Sequence, residues 1–275
     1  MRLVSADWNF WPDGLDRPAI WHTSADLGFA AMEIGVYRAD DELSSSAVTS
    51  IEALAGETGL GIAAVLFSMP PARWPDGGLG SASQSARAVA EIAETARRAA
   101  DIGADVLGVW PGADPPAGPA GARWSRTRDA ISEVAETTGS LGLVLAIEYK
   151  PGQLIAGAVE ALRLVEEIGQ EGVGVLVDTA HAFAAGEDVA ALPARLAPRL
   201  AHVHLGDSGG DADADLPPGA EHDFAPFLAG LSAVGYPGVL SFDLYGSVEA
   251  GVATGAEASQ QGLDHIRDAL SRAGR

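Results

Sequence analysis

Apolar residues in this chain fall into short runs, separated by longer segments in which Ala and Leu recur at helical spacing. The short runs are RLVSAD, AAMEIGV, GIAAVLF, DVLGVW, GLVLAIE, VGVLVD, LAHVHL and GVLSFD. Each has the length of a buried strand. Between them lie AVTSIEALAGETG, ASQSARAVAEIAETARRAADIG, TRDAISEVAETTGSLG and GAVEALRLVEEIG, each closing on Gly, a common helix stop. Shorter helices are expected at Ser24–Phe29, Val189–Leu196, Asp223–Val234 and Glu257–Ala273. Eight strands, each followed by a helix, predict an α/β chain folded as a closed (β/α)8 (TIM) barrel. A doubly wound sheet fits less well, because no G-x-G-x-x-G opens the first helix. One barrel domain is expected over residues 1–275, with no interdomain linker.

Composition narrows the chemistry. The 275 residues are 47% hydrophobic and 20% charged, enough for one large core. Without cysteine there are neither disulfides nor thiolate sites, so any metal must sit on Asp, Glu, His or backbone oxygen. The lack of a disulfide framework favours a cytoplasmic location. The start, MRLVSADWNF, lacks the apolar core of a signal peptide, and no run reaches the roughly 18 apolar residues of a membrane helix. Lys plus Arg number 17 against 38 Asp plus Glu, a formal charge of −21. Such a field repels a phosphate polymer. The expected partner is therefore a small molecule, with neither nucleic acid nor membrane, and homo-oligomerisation is left open.

Polar residues gather at the strand ends. In a barrel of this kind the active site lies on the loops after the strands' C-terminal ends. The fifth strand ends in Glu148, and Lys150, two residues on, points the same way. The sixth ends in Asp178, with His181 three residues later, and the seventh supplies His204 and then Asp207. The eighth ends in Asp243. Carboxylates converging in a barrel mouth repel one another, and a divalent cation removes that penalty. Oxygen and imidazole donors without sulfur suit Mn2+, Mg2+ or Co2+, and Zn2+ is also compatible. His202, on an apolar strand, reads as a hydrogen-bonded core residue.

The loop GDSGGDADADLPPG adds Asp213 and Asp215, one residue apart and able to reach a single cation. Asp178 could bridge two ions, with His181, Asp213 and Asp215 completing the second site. The segment WPGADPPAGPAGARW, Trp110–Trp124, follows the fourth strand as a candidate wall or lid.

This set of residues resembles the xylose isomerase-like TIM-barrel superfamily, nearest to its two-metal aldose–ketose isomerases such as the L-rhamnose isomerases. The motifs are E-Y-K at Glu148 and Lys150, D-T-A-H at Asp178 and His181, H-L-G-D at His204, D-A-D-L at Asp213 and Asp215, and Asp243. The resemblance implies a first metal on Glu148, Asp178, His204 and Asp243. It implies a second on Asp178, His181, Asp213 and Asp215. Lys150 would contact the sugar's carbonyl oxygen, His181 would lie against the substrate, and Trp110 and Phe67 would shield the reacting carbons.

The chain departs from the pattern in places. No histidine near the second strand is available to open a sugar ring, which leaves Tyr37, Arg38 or His22. The acidic loop is one residue longer than the pattern, so Asp211 can take the place of Asp213 or Asp215. Glu33 is common in the superfamily as a structural residue. The leading expectation is an isomerase that interconverts an uncharged aldose and ketose by hydride shift. The alternative is a one-metal epimerase or dehydratase, in which Glu148 and a carboxylate such as Asp243 or Asp207 exchange protons with the substrate. A DNA-repair nuclease of the same barrel type is disfavoured by charge and by LFSMP and VWPG, which lack that enzyme's histidines. A non-catalytic sugar-binding protein has no need of a full metal set.

Overall fold

In the computed structural model, described for residues 1–113 and 119–273, eight parallel strands close on themselves in sequential order. They are β1 (Leu3–Ala6), β2 (Ala31–Val36), β3 (Gly61–Phe67) and β4 (Val106–Val109), then β5 (Val144–Glu148), β6 (Val173–Asp178), β7 (Leu200–Leu205) and β8 (Leu240–Phe242). Each corresponds to one of the eight apolar runs. The ring closes where Leu3, Val4 and Ser5 pair with Leu240, Ser241 and Phe242.

Alternation along the strands makes two layers. Outward positions such as Val65, Phe67, Leu145, Ile147, Val175 and Val177 join the main core between barrel and helices. Inward positions are mixed: Ala6, Ala146 and Leu176 form an inner apolar layer with Trp8 and Leu66, and Glu33, His202, His204 and Ser241 are buried in the interior. Small inner residues leave room above them for the polar residues of the rim.

The long helices lie at Ser45–Thr58, Ser85–Asp101, Ala120–Ser140, Ala158–Ile168 and Gly255–Ala273. The first helix differs from expectation. It runs over Arg17–Asp26 rather than Ser24–Phe29, because Asp16 caps the amide of Ala19 and a proline stands in the first turn. Of the proposed lid, residues 114–118 lie outside the described residues, and Ala120–Trp124 already belong to a helix. Trp124 is buried there, with its indole N–H on Glu167, away from the mouth. No helix among the described residues is long and apolar enough to cross a membrane.

Candidate metal centre and active site

The rim of the barrel brings Glu148, Asp178, His204 and Asp243 together, with one donor atom from each lying within 4.8 Å of all the others. Glu148 and Asp178 are the last residues of β5 and β6, His204 is inward on β7, and Asp243 follows β8. Asp178 also caps the helix Thr179–Ala184, its Oδ1 accepting from the amides of Ala180 and His181 at 2.7 and 3.3 Å. Its Oδ2 is buried without a hydrogen-bond partner, and so is Nδ1 of His204. A carboxylate oxygen and an imidazole nitrogen buried without partners cost free energy unless something joins them, and a cation would take the lone pair of each. That donor set and those orphans fit a divalent cation.

A second group, Asp178, His181 and Asp215, meets the same distance condition. His181 Nδ1 lies 3.1 Å from the carbonyl oxygen of Tyr149. A carbonyl only accepts, so Nδ1 donates and Nε2 keeps the free lone pair. Asp215 accepts the amide of Gly246 at 3.0 Å. Asp213, expected in this group, is not part of it. Its side chain is 78% exposed and pairs with Lys150 Nζ at 2.5 Å. Asp211 accepts the amide of Asp213 at the loop surface and joins neither group.

Gly246 explains how the acidic loop docks. A Cβ at that position would lie 1.9 Å from the Asp213 carbonyl oxygen and 2.9 Å from Asp215 Oδ2. Only glycine lets the loop come that close to the turn after β8.

Burial and crowding divide the carboxylates. Burial pushes Asp243 up to about 6, and the charge of Asp178 adds to the effect. Asp215 is raised well above the ordinary range by burial and then by Asp243 and Asp178. Burial would also raise Glu148, but His204, His181 and Lys150 outweigh it and hold that carboxyl below its usual range. Lys150 is raised, since Asp213 and its acidic neighbours outweigh burial.

These groups open onto a cavity of roughly 140 Å3, lined also by Trp8, Trp11, Tyr37, Trp110 and Tyr245. Trp110 and His181 line this cavity, while Phe67 does not. It is fully buried on the outward face of β3, and its neighbours Leu66 and Ser68 face the cavity instead. Side chains alternate, so the last residue of a run need not point inward. Of the proposed ring-opening residues, Tyr37 lines the cavity. His22 is half-exposed beside Glu57, and Arg38 is exposed beside Asp41.

Asp207 is also placed differently from the epimerase alternative. It is buried, accepts from His222 Nδ1 at 2.7 Å and from the amides of Glu221 and His222, and does not line the cavity. It anchors the loop rather than facing a substrate. Trp8, Trp11 and Tyr245 went unmarked in the sequence. The signal was DWNFW, just past the first strand, where two indoles flank the barrel mouth.

Similarity to known proteins follows the same geometry. A stretch of 202 residues, 70% of this chain, is 30% identical to an L-ribulose 3-epimerase of Mesorhizobium japonicum. The rhizopine catabolism protein MocC of Rhizobium meliloti is 30% identical over 138 residues, 44% of this chain and 42% of its own. The matched part spans less than two thirds of the curated relatives' own length, 64% for the epimerase. Among solved structures, one of an L-ribulose 3-epimerase superposes with a TM-score of 0.82 at 20% identity, covering 100% of this chain and 96% of that one. One of the IOLI protein with a bound zinc atom gives 0.80 at 16% identity, covering 99% of both chains. Such distant likenesses speak for the fold. The model of the xylose isomerase-like TIM barrel matches residues 21–269, and together with the closed barrel and its rim this places the chain in that family.

Proposed function

We propose that the chain is a divalent-cation-dependent sugar epimerase that inverts a carbon beside the carbonyl of an uncharged monosaccharide. One observation carries this reading. Glu148 and Asp243 line the same cavity and are driven in opposite directions, one toward the carboxylate and one up to about 6. Neighbouring acids whose environments push them apart suit a base and an acid working together. The 30% identity to an L-ribulose 3-epimerase supports the same assignment.

Glu148, Asp178, His204 and Asp243 would hold the cation, and Mn2+, Mg2+, Co2+ or Zn2+ suits these donors. When bound, it would draw electron density from the substrate carbonyl and so acidify the neighbouring carbon. Glu148 takes the proton from that carbon, and Asp243 returns one from the other side. Lys150, lining the cavity, donates to a substrate oxygen. Trp8 and Trp110 reduce water access to the reacting carbons. Lys150 is the sole Lys or Arg among the described residues lining the cavity, and Asp213 already neutralises it. That favours a neutral sugar over a phosphosugar.

A second reading is an aldose–ketose isomerase with two cations and hydride shift. The Asp178, His181 and Asp215 group favours it. The engagement of Asp213 with Lys150 weighs against the full second ligand set. The test of the leading reading is a panel of neutral ketoses given to chelator-treated protein before and after readdition of metal. Activity should vanish on chelation and return with Mn2+, Co2+ or Mg2+. Full activity in exhaustively demetallated protein contradicts the reading, as does a strong preference for phosphosugars.

A further inference from the structure

Glu33, His202 and Ser241 lie fully buried inside the barrel, and the chemistry above uses none of them. Glu33, on β2, reaches across to β7. Its Oε2 lies 2.8 Å from His202 Nε2, and its Oε1 lies 3.2 Å from His204 Nε2. Ser241 Oγ stands 3.3 Å from the same nitrogen of His202. A carboxylate accepts and does not donate, so it calls for a proton on Nε2 of each histidine.

In the neutral imidazole of a metal-binding His204, this makes the other nitrogen the lone-pair atom. Nδ1 of His204 is the buried atom without a protein partner, 3.7 Å from both Glu148 Oε1 and Asp243 Oδ2. The two ends of one imidazole therefore face different worlds. Nε2 meets a buried carboxylate, and Nδ1 meets the four-donor group. A residue that only filled space would not need a charge here. Glu33 pairs in register with Ala6 and Ala64, and burying a carboxylate beside such residues costs several kcal/mol without compensation.

We propose that Glu33 is a positioning residue: it locks His204 in the Nε2–H form and aims Nδ1 into the metal site, while His202 holds its second oxygen. The inference rests on reading the four-donor group as a cation site. An acceptor behind a ligating histidine sets its tautomer and ring orientation, and losing such a partner typically weakens metal binding by about 10–100-fold.

The experiment is a Co2+ titration, followed by visible absorption, of wild-type protein, Glu33→Ala and Glu33→Gln. Glu33→Ala should weaken Co2+ binding by about 10–100-fold and change the ligand-field bands. Glu33→Gln, which keeps one acceptor oxygen, should fall between. Melting of the demetallated proteins separates packing from aim. A Glu33→Ala protein with a lower Tm but the wild-type Kd and spectrum overturns the proposal. If that variant does not fold, 15N histidine spectra of Zn2+-loaded wild-type protein decide: a proton on Nε2 of His204 supports it, and a proton on Nδ1 overturns it. Wild-type protein that binds no Co2+ would overturn the metal reading itself, and the inference with it.

Discussion

The indole N–H of Trp8 donates to Oδ1 of Asp243 over 2.9 Å, joining the loop after the first strand to the end of the eighth. The same ring lies tilted against His204, with centroids 5.8 Å apart. Trp8 thus touches two of the four candidate ligands and lines the cavity. Its bond favours the ionised form of Asp243. Trp8→Phe should keep the wall and lose the bond. Titration of Asp243 in the demetallated variant, followed by carboxyl 13C shifts, should move upward from about 6. We expect kcat/KM to fall roughly tenfold, the worth of one hydrogen bond to a charged group.

Gly246→Ala tests the docking of the acidic loop. The new methyl would meet the Asp213 carbonyl oxygen at 1.9 Å, so loop or turn must retreat. Lys150 and Asp213 should separate, and Asp215 should leave the group it forms with Asp178 and His181. We expect turnover to fall at least tenfold while Tm changes by only a few degrees. Unchanged kinetics would show that the loop's position is immaterial to catalysis.

The stability of the metal-free protein should depend on Asp7. The residue is 4% exposed, and its carboxyl accepts the amide of Gly35 at 2.9 Å. Burial pushes it up to about 7 from an ordinary value of 3.8. The folded state therefore holds this proton where the unfolded chain has lost it, so stability falls as pH rises from about 4 to about 7. Asp7→Asn keeps an oxygen for Gly35 and removes the buried charge. It should raise stability at pH 8 by about 2–4 kcal/mol, with little effect at pH 4. Thermal melts of both proteins across that range check the slope. A parallel pair of curves would contradict it.

The barrel was legible in the sequence because buried strands and amphipathic helices carry distinct periods, and the strand ends carried their carboxylates and histidine in order. Glu148, Asp178, His204 and Asp243 could be picked out one strand at a time, since each lies within or next to its own apolar run. Phe67 was misplaced because the end of a run marks where a strand stops, not which face its last residue takes. The pairing of Lys150 with Asp213 depends on how a loop after β7 folds back, which no local pattern encodes. Glu33 posed the same difficulty, since its partners are His202 and His204 on another strand. Trp8 and Trp11 lay beyond the strand they follow, where the alternation no longer assigns a direction.

Loop anchoring makes a separate prediction. His222 stacks on Phe183 with ring centroids 3.8 Å apart and gives its Nδ1 to Asp207. His222→Ala should loosen residues 208–221 while leaving the ligands on the strands untouched. Amide hydrogen exchange should rise in that segment alone, and metal content should stay at the wild-type level. Equal protection in both proteins would remove His222 from the account.

The most direct test of proton transfer to Glu148 and from Asp243 is turnover of a neutral ketose in D2O. Either carboxyl exchanges its proton with solvent between turnovers, so a hydrogen that passes through them is replaced. The product should carry close to one deuterium at the inverted carbon beside the carbonyl, as read by NMR or mass spectrometry. Product formed at the same rate with almost no deuterium would contradict proton transfer and favour direct hydride shift between adjacent carbons.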